Sequence, residues 1–282
     1  MIIAIDLGGT KIRAGLVDGS SVHDIIQVPC NASGSEQDVL EQLYSLIDRL
    51  LSPEVTAIGV GVPSVVDAAR GIIYDVVAIP SWKEVHLKEI LQKRYGIQVC
   101  VDNDCNCFAL GVARYGEARG YDDAVCVTLG TGVGSGIIIG GKLYRGVNTG
   151  AGEIGSAPYL DRDYEYYCSS RFFEGKGTTG KAASESAAGG DPAALAIMSE
   201  FGRHVGRLVE LILFAYDPQA VVFGGSIANA FDFFKDSMYR ELDDFPYSKS
   251  VAGLKIHRCQ TDHIGLFGAA AICETGVMEA KN

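Results

Sequence analysis

The sequence has no excess of basic residues. Lys and Arg total 24 against 35 Asp and Glu, so the formal net charge is −11 at pH 7. A surface for nucleic acid or an anionic membrane needs a basic stripe, and no stretch of the chain supplies one. We therefore exclude nucleic-acid and membrane partners and expect a small-molecule partner.

Long apolar runs and a disulfide framework are also missing. Neither a signal peptide nor a membrane-length apolar segment starts the chain, and the eight cysteines lie mostly inside apolar stretches. Such cysteines are typical of reduced thiols in a cytosol, so we expect a cytoplasmic protein. The length of 282 residues predicts about two domains.

Glycine, in contrast, is abundant and clustered, with 35 residues in the chain. Asp6-Leu7-Gly8-Gly9-Thr10-Lys11 follows one predicted strand and leads into another, and Leu129-Gly130-Thr131-Gly132-Val133-Gly134 repeats this arrangement. Paired glycines let backbone N–H groups approach phosphate oxygens. Each motif alone is equally consistent with a glycine hairpin, but two facing loops predict a phosphate chain held from both sides.

Helical and strand periodicities alternate along the chain, which predicts an α/β fold. The repeated glycine motif indicates two related halves with a ligand site in the interdomain cleft. We expect a first domain of residues 1–107 plus a C-terminal helix within 262–282, and a second domain of residues 108–261. Residues 157–180 are polar and rich in tyrosine without clear periodicity, so we expect a long lid loop.

Two further junctions carry polar or flexible residues. Asp104 lies between a predicted strand and helix, flanked by Asn103 and Asn106, and either orients an alcohol or caps the helix. We expect an ordinary carboxyl pKa near 3.9 for it, which leaves it ionised at pH 7. Gly224-Gly225 follows another strand, and either admits a flat nucleoside or serves packing.

Six motifs together resemble the ROK family of sugar kinases, within the actin, Hsp70 and hexokinase superfamily of ribonuclease-H-like folds, over nearly the whole chain. They are Asp6-Leu-Gly-Gly-Thr-Lys11, Gly59-Val-Gly-Val-Pro63, Asp102-Asn-Asp-Cys-Asn106, Leu129-Gly-Thr-Gly-Val-Gly134, Gly150-Ala-Gly-Glu-Ile-Gly155 and Asp217 to Gly225. The resemblance implies two actin-like ATPase domains with mixed sheets flanked by helices, ATP and Mg²⁺, phosphoryl transfer to a hexose hydroxyl, and a homodimer.

The family's site residues transfer to matching positions of this chain. Asp104 matches the catalytic base, and Asp6 is placed to hold Mg²⁺ through water. Residues expected to bind the sugar are Asn103, Glu153, Glu174 and the residue at position 156, Ser156. Residues expected to bind ATP are Gly8, Gly9, Thr10, Lys11, Gly130, Thr131, Gly132, Gly224 and Gly225.

The chain departs from the family pattern in three places. Ser156 stands where the family has a histidine that faces the sugar and binds zinc, and Cys168 is the only cysteine in the following loop. One thiol cannot supply the four ligands of tetrahedral zinc, so we expect no zinc. In Val77-Ala-Ile-Pro-Ser-Trp82, the asparagine that relatives often have before the proline is absent. The resemblance therefore does not define the identity of the sugar. Trp82 either lines the sugar pocket or packs.

The motifs are compatible with more than one function. A glucokinase-like hexose kinase is the first, and a kinase for an N-acetylhexosamine is the nearest variant. A sugar-binding sensor or regulator with little kinase activity is the alternative, favoured by the missing histidine and cysteines. A DNA-binding repressor is not expected, because the Asp-Leu-Gly-Gly motif begins at residue 6 and the net charge is −11.

Overall fold

The computed structural model describes the backbone of residues 1–279 and the side chains of residues 1–274. The chain divides into two compact units. The first comprises Met1–Arg119, Arg145–Ala151 and the chain from Thr261 onward, and the second comprises Gly120–Tyr144 and Gly152–Gln260.

One five-stranded mixed sheet forms the centre of the first unit. Its strands follow the order β3-β2-β1-β4-β8, in which β1, β2 and β3 are antiparallel neighbours while β4 and β8 run parallel to β1. Strands β5, β6 and β7 form a small antiparallel sheet. The elements are β1 (Ile2–Leu7), β2 (Lys11–Asp18), β3 (Ser21–Pro29), α1 (Glu36–Leu50), β4 (Ala57–Val62), β5 (Val65–Asp67), β6 (Ile72–Tyr74), β7 (Glu84–Val85), α2 (Leu87–Tyr95), β8 (Gln98–Asn103), α3 (Asp104–Tyr115) and the C-terminal helix (Ile264–Glu279).

A sheet of the same order forms the second unit. It runs β11-β10-β9-β14-β15, with β14 and β15 parallel to β9. The elements are β9 (Ala124–Leu129), β10 (Val133–Ile139), β11 (Lys142–Tyr144), β12 (Pro158–Tyr159), β13 (Arg162–Asp163), α4 (Tyr164–Cys168), α5 (Ser170–Gly175), α6 (Gly180–Ala188), α7 (Pro192–Tyr216), β14 (Ala220–Gly224), α8 (Phe231–Glu241), α9 (Ser248–Gly253) and β15 (Lys255–Arg258). No helix within the described residues is long and apolar enough to span a membrane.

Burial explains why the first sheet is covered on both faces. Every residue of β4 is buried, as expected for a central parallel strand. Helix α1 buries an apolar stripe from Val39 to Leu50, and a capping box between Ser35 and Asp38 fixes its start. On β4, a side chain at Gly59 would collide with the Ala269 carbonyl, so this glycine lets the C-terminal helix approach the strand.

The division by contacts differs from the predicted boundary at residue 107. That boundary falls inside α3, whereas the first unit extends to Arg119 and also includes Arg145–Ala151. The reason is the packing of α3 on the C-terminal helix, where a side chain at Gly268 would collide with the Cys107 backbone. The whole helix therefore belongs with the first sheet.

The prediction of a structureless loop at residues 157–180 is wrong. This segment contains the β12–β13 pair and the short helices α4 and α5. Elements this short show no periodicity in a sequence, and aromatic contacts with α7 hold them. The Tyr159 hydroxyl lies 3.1 Å from Nδ1 of His204, and the ring of Phe172 lies 5.5 Å from that of Phe201. His204 therefore has a structural role.

Candidate active site

The turn from β8 into α3 carries the acidic motif predicted from the sequence. Oδ1 of Asn103 accepts hydrogen bonds from the backbone N–H groups of Cys105 (2.9 Å) and Asn106 (3.1 Å), so Asn103 caps α3. Its Nδ2 donates to the Ser64 carbonyl at 3.1 Å. Asn103 thus uses both acceptor positions of its amide oxygen and one of its two side-chain N–H groups. The other N–H remains for a ligand hydroxyl.

Asp104 is the first residue of α3 and is only partly exposed. Burial, and secondly the charge of Asp6, raise its pKa to about 6. The expectation of an ordinary carboxyl pKa is therefore wrong, since sequence alone does not show that α3 begins inside the unit and near a second carboxylate. A base that titrates close to neutral pH is better matched to proton abstraction than an ordinary aspartate.

Asp6 lies near the end of β1, two residues before Gly8 of the first glycine turn. Burial raises its pKa, while the charges of Arg13 and Lys11 oppose that shift. A Cβ added at Gly265 would lie 3.4 Å from its Oδ2, so the C-terminal helix begins close to the carboxylate. The first unit thus holds two carboxylates, Asp6 and Asp104, near enough for one to affect the other's pKa.

Sequence reasoning missed the ion pair that supports this turn. Asp102 is buried, and its Oδ2 accepts from Nε of Arg145 at 2.7 Å. Its Oδ1 accepts from the Asn103 backbone N–H and from Nδ2 of Asn106, each at 2.8 Å. A charged residue at the end of an apolar strand was the available signal, but no local pattern links it to Arg145.

The first glycine turn is a tight hairpin. The N–H of Gly8 donates to the Lys11 carbonyl at 2.9 Å, and a Cβ added at Gly9 would lie 2.5 Å from Cβ of Ala78. Thr10 and Lys11 are exposed. Close packing thus accounts for Gly9, while phosphate binding by this turn stays a prediction.

The second glycine turn lies beside a cavity of about 550 Å³ in the second unit. Gly130 donates to the Gly132 carbonyl at 3.0 Å and accepts from the Ser170 N–H at 2.8 Å. The cavity is large enough for part of a nucleotide. Most of its lining residues are small, and several carry hydroxyl groups: Gly130, Thr131, Ser170, Thr179, Gly180, Lys181, Ser184, Glu185, Ser226, Ile227, Asn229 and Ala230.

Gly224 and Gly225 end β14 at the edge of this cavity without lining it. Gly225 has φ +85°, and a side chain there would collide with the Leu129 carbonyl. A left-handed backbone and close packing on β9 therefore require glycine at this position. The structure thus gives a packing reason for Gly225, and its neighbour Ser226 is the residue that faces the cavity.

The predicted sugar-binding residues of the second unit lie on exposed turns. Glu153 and Ser156 are exposed at the 3₁₀ turn Ile154–Ser156, which two glycines press against β10: a side chain at Gly152 or Gly155 would collide with a carbonyl of that strand. Glu174 is exposed on α5, where Oε1 accepts from the Ser170 hydroxyl at 3.2 Å.

The predicted absence of zinc concerns the same segment. Cys168 is fully buried, and burial raises the pKa of its thiol. Among the described side chains no group of three or more His, Cys, Asp or Glu residues is arranged to hold a metal ion. Trp82, the alternative lining residue, is fully buried in the core of the first unit and therefore has the packing role.

The strand orders and the glycine and acidic turns define an α/β protein with two units of the actin-like ATPase type. The model of the ROK family matches residues 2–275, and the chain belongs to the ROK family. Both the predicted fold class and the predicted family are therefore confirmed.

Relatives with known names fall into two groups. A glucokinase of Thermotoga maritima is 27% identical, covering 96% of each chain. The solved structure of a ROK family glucokinase from Streptomyces griseus, in complex with glucose and AMPPNP, is 28% identical with a TM-score of 0.84, covering 98% of this chain and 99% of that one. The xylose repressor of Bacillus subtilis is 27% identical, covering 88% of this chain and 70% of the repressor.

Proposed function

We propose that this protein is an ATP-dependent kinase that phosphorylates a hydroxyl of a hexose. The single observation that carries the proposal is Asp104, a carboxyl with a pKa of about 6 held at the start of α3 beside Asp6. Family membership and the similarity to glucokinases support it. Glucose is the first sugar to test because it is named in the complex of the similar structure.

In this mechanism Asp104 accepts the proton of the attacking sugar hydroxyl. A carboxyl with pKa about 6 is mostly ionised at pH 7.5 yet remains a weaker base than the alkoxide it helps to form. Proton transfer therefore comes late, which suits a loose phosphoryl-transfer transition state that depends mainly on positioning and charge stabilisation. The remaining N–H of Asn103 and the Glu153 carboxylate would orient sugar hydroxyls, with Ser156 and Glu174 as further contacts.

The residues of the first unit fit Mg²⁺. Magnesium in kinases is held by one or two carboxylates together with phosphates and water, and Asp6 supplies such a carboxylate within electrostatic reach of Asp104. When bound, the ion would neutralise phosphate charge. Asp6 would hold it through water and would thereby lose the unfavourable effect of its own charge on Asp104.

The second unit would bind ATP. The 550 Å³ cavity beside Gly130 and Thr131 offers hydroxyls and small side chains to a nucleoside, and the adjacent turn offers backbone N–H groups to phosphate. From the first unit, Gly9, Thr10 and Lys11 would contribute further donors, and Gly8, whose N–H is bonded to the Lys11 carbonyl, would hold the hairpin in shape. A cytoplasmic homodimer is the expected setting, from the family and the thiol pattern.

A panel assay tests the proposal. ADP release is measured with ATP and each of glucose, mannose, fructose, allose, N-acetylglucosamine and N-acetylmannosamine, and sugar binding is measured in parallel. We expect sugar-dependent ADP release with at least one of them. Sugar binding without ADP release would instead favour the sensor, the alternative that similarity to a repressor and Ser156 support. Release with only the N-acetyl sugars would assign the N-acetylhexosamine variant.

A further inference from the structure

A second cavity lies in the first unit, on the outer side of the edge strand β8. Its volume is about 380 Å³. It adjoins the acidic turn but does not include Asp6, Asn103 or Asp104. The lining residues are Ala68, Ala69, Lys88, Gln92, Gln98, Val99, Cys100, Val101, Asp102, Arg145 and Ile272.

Cys100 is the one thiol among the residues that line this cavity. It is partly exposed, and Nε2 of Gln98 donates to its sulfur at 3.4 Å. Hydrogen bonding by the Cys273 thiol, which is buried on the C-terminal helix, and secondly by Gln98 lowers the pKa of Cys100, while burial opposes this shift. Hydrogen bonds of this kind stabilise a thiolate.

The lining of the cavity also includes two cationic side chains, Lys88 and Arg145. Lys88 is fixed at the start of α2, where its Nζ donates to the Ala69 carbonyl at 3.0 Å and its stem packs on Gly71. Arg145 adds a second cation, but its charge is matched by Asp102. Lys88 therefore sets the sign of the local charge, in a protein whose net charge is −11.

We propose that this cavity takes small anionic disulfides and that Cys100 is thiolated there by thiol–disulfide exchange. The Cys100 thiolate attacks one sulfur of the bound disulfide; a new S–S bond to Cys100 forms as the bond within the small molecule breaks. The second half leaves as a thiolate and takes a proton from water. The small disulfide is the oxidant, so electrons balance without another reactant.

Cys30, another partly exposed thiol, provides a contrast, because burial raises its pKa. Cys107 and Cys168 are buried, and burial raises their pKa as well. A small disulfide should therefore select Cys100 over these three.

Intact-mass spectrometry tests the site. The folded, reduced protein is incubated with oxidised glutathione at pH 7, and the adduct is mapped by peptide analysis. We expect one fast adduct in the wild type and in the matched control Cys30→Ser, and its loss in Cys100→Ser. A fast adduct that persists in Cys100→Ser, or none in the wild type, would overturn the proposal.

Two further measurements distinguish a site that binds anionic disulfides from a thiol that is simply exposed. The first varies the charge of the disulfide, and the second varies the pH. At low salt, oxidised glutathione should modify Cys100 faster than the cationic disulfide cystamine, although the net charge of the protein favours the cation. Lys88→Gln should remove this preference. Cys273→Ala should move the midpoint of the rate's pH profile upward, towards the ordinary thiol value of about 8.5. Equal or faster reaction with cystamine in the wild type would refute the anionic ligand, and an unmoved midpoint would refute the role of Cys273.

Discussion

The two units carry the same sheet order but different chemistry where the strands end. Asp6 in β1 and Thr128 in β9 each lie two residues before a glycine turn. The first unit places carboxylates at its strand ends, whereas the second places a hydroxyl, glycines and a cavity there. Under the proposed function, one scaffold would serve two purposes: proton transfer and metal binding in the first unit, and nucleotide binding in the second.

The parallel neighbours of these strands, β4 beside β1 and β14 beside β9, illustrate this difference. Gly61 pairs with Asp6, and Gly224 pairs with Thr128, so both units keep glycine at the equivalent position. In the first unit a Cβ at Gly61 would lie 3.7 Å from Cα of Asp104. The small residue makes room for α3, and so for the catalytic candidate. In the first unit this glycine therefore serves packing, and the two units differ in the residue paired with it, Asp6 or Thr128.

The largest expected effect comes from removing the Asp104 carboxylate of the first unit. Asp104→Asn keeps the size and an acceptor for the Cys105 N–H but loses the base. Since general-base assistance contributes about 10²–10⁴ in rate, turnover should fall by at least about a hundredfold. Steady-state ADP release measures it, and retention of more than about a tenth of the wild-type turnover would remove Asp104 from its role.

A smaller effect is expected from a substitution of Gly225, the glycine that follows β14 in the second unit. Gly225→Ala forces a side chain into the Leu129 carbonyl beside the cavity. We expect the KM for ATP to rise several-fold, with a lower Tm. Gly190→Ala is the matched control: its φ is +81°, but an added Cβ meets nothing within 4 Å. It should share the backbone strain, of order 1 kcal/mol, and leave the KM unchanged. Equal KM changes in both variants would contradict the assignment.

The pH profile gives the next test of the contrast. Asp104 acts as a carboxylate, and burial, the larger cause of its raised pKa, persists when Mg²⁺ offsets the charge of Asp6. We therefore expect kcat/KM for the sugar to rise with pH through an apparent pKa above the ordinary carboxyl value of about 4 and no higher than about 6. Circular dichroism at each pH checks that the protein remains folded. An acid limb centred near pH 4 would show that the carboxyl is not perturbed in solution.

The smallest effect is on stability. The pKa of Asp104 is raised on folding, so the folded state favours its protonated form, and ionisation costs stability as pH rises from about 4 to about 6. Asp104→Asn should therefore raise Tm relative to the wild type at pH 8 and leave it nearly unchanged at pH 4. A variant with lower Tm at pH 8 would show that the carboxylate is favourably paired.

Much of the fold could be predicted because its signals are local. The capped α1, the Asp191-Pro192 start of α7 and the glycine turns each depend on a few adjacent residues. The short helices α4 and α5 could not be predicted from periodicity, since contacts with distant residues of α7, such as that of Phe172 with Phe201, help to stabilise them. For the site, motif order located Asp104, but its raised pKa and the Asp102–Arg145 pair depend on residues distant in sequence.

The division of roles between the units is tested most directly by nucleotide affinity in the absence of turnover. Calorimetric titration of a non-hydrolysable ATP analogue with Mg²⁺ compares the wild type with Asp104→Asn. If ATP binds mainly through the second unit, the two Kd values should agree within about threefold, since a tenfold difference corresponds to about 1.4 kcal/mol. Binding weakened by more than about tenfold in Asp104→Asn would contradict the account.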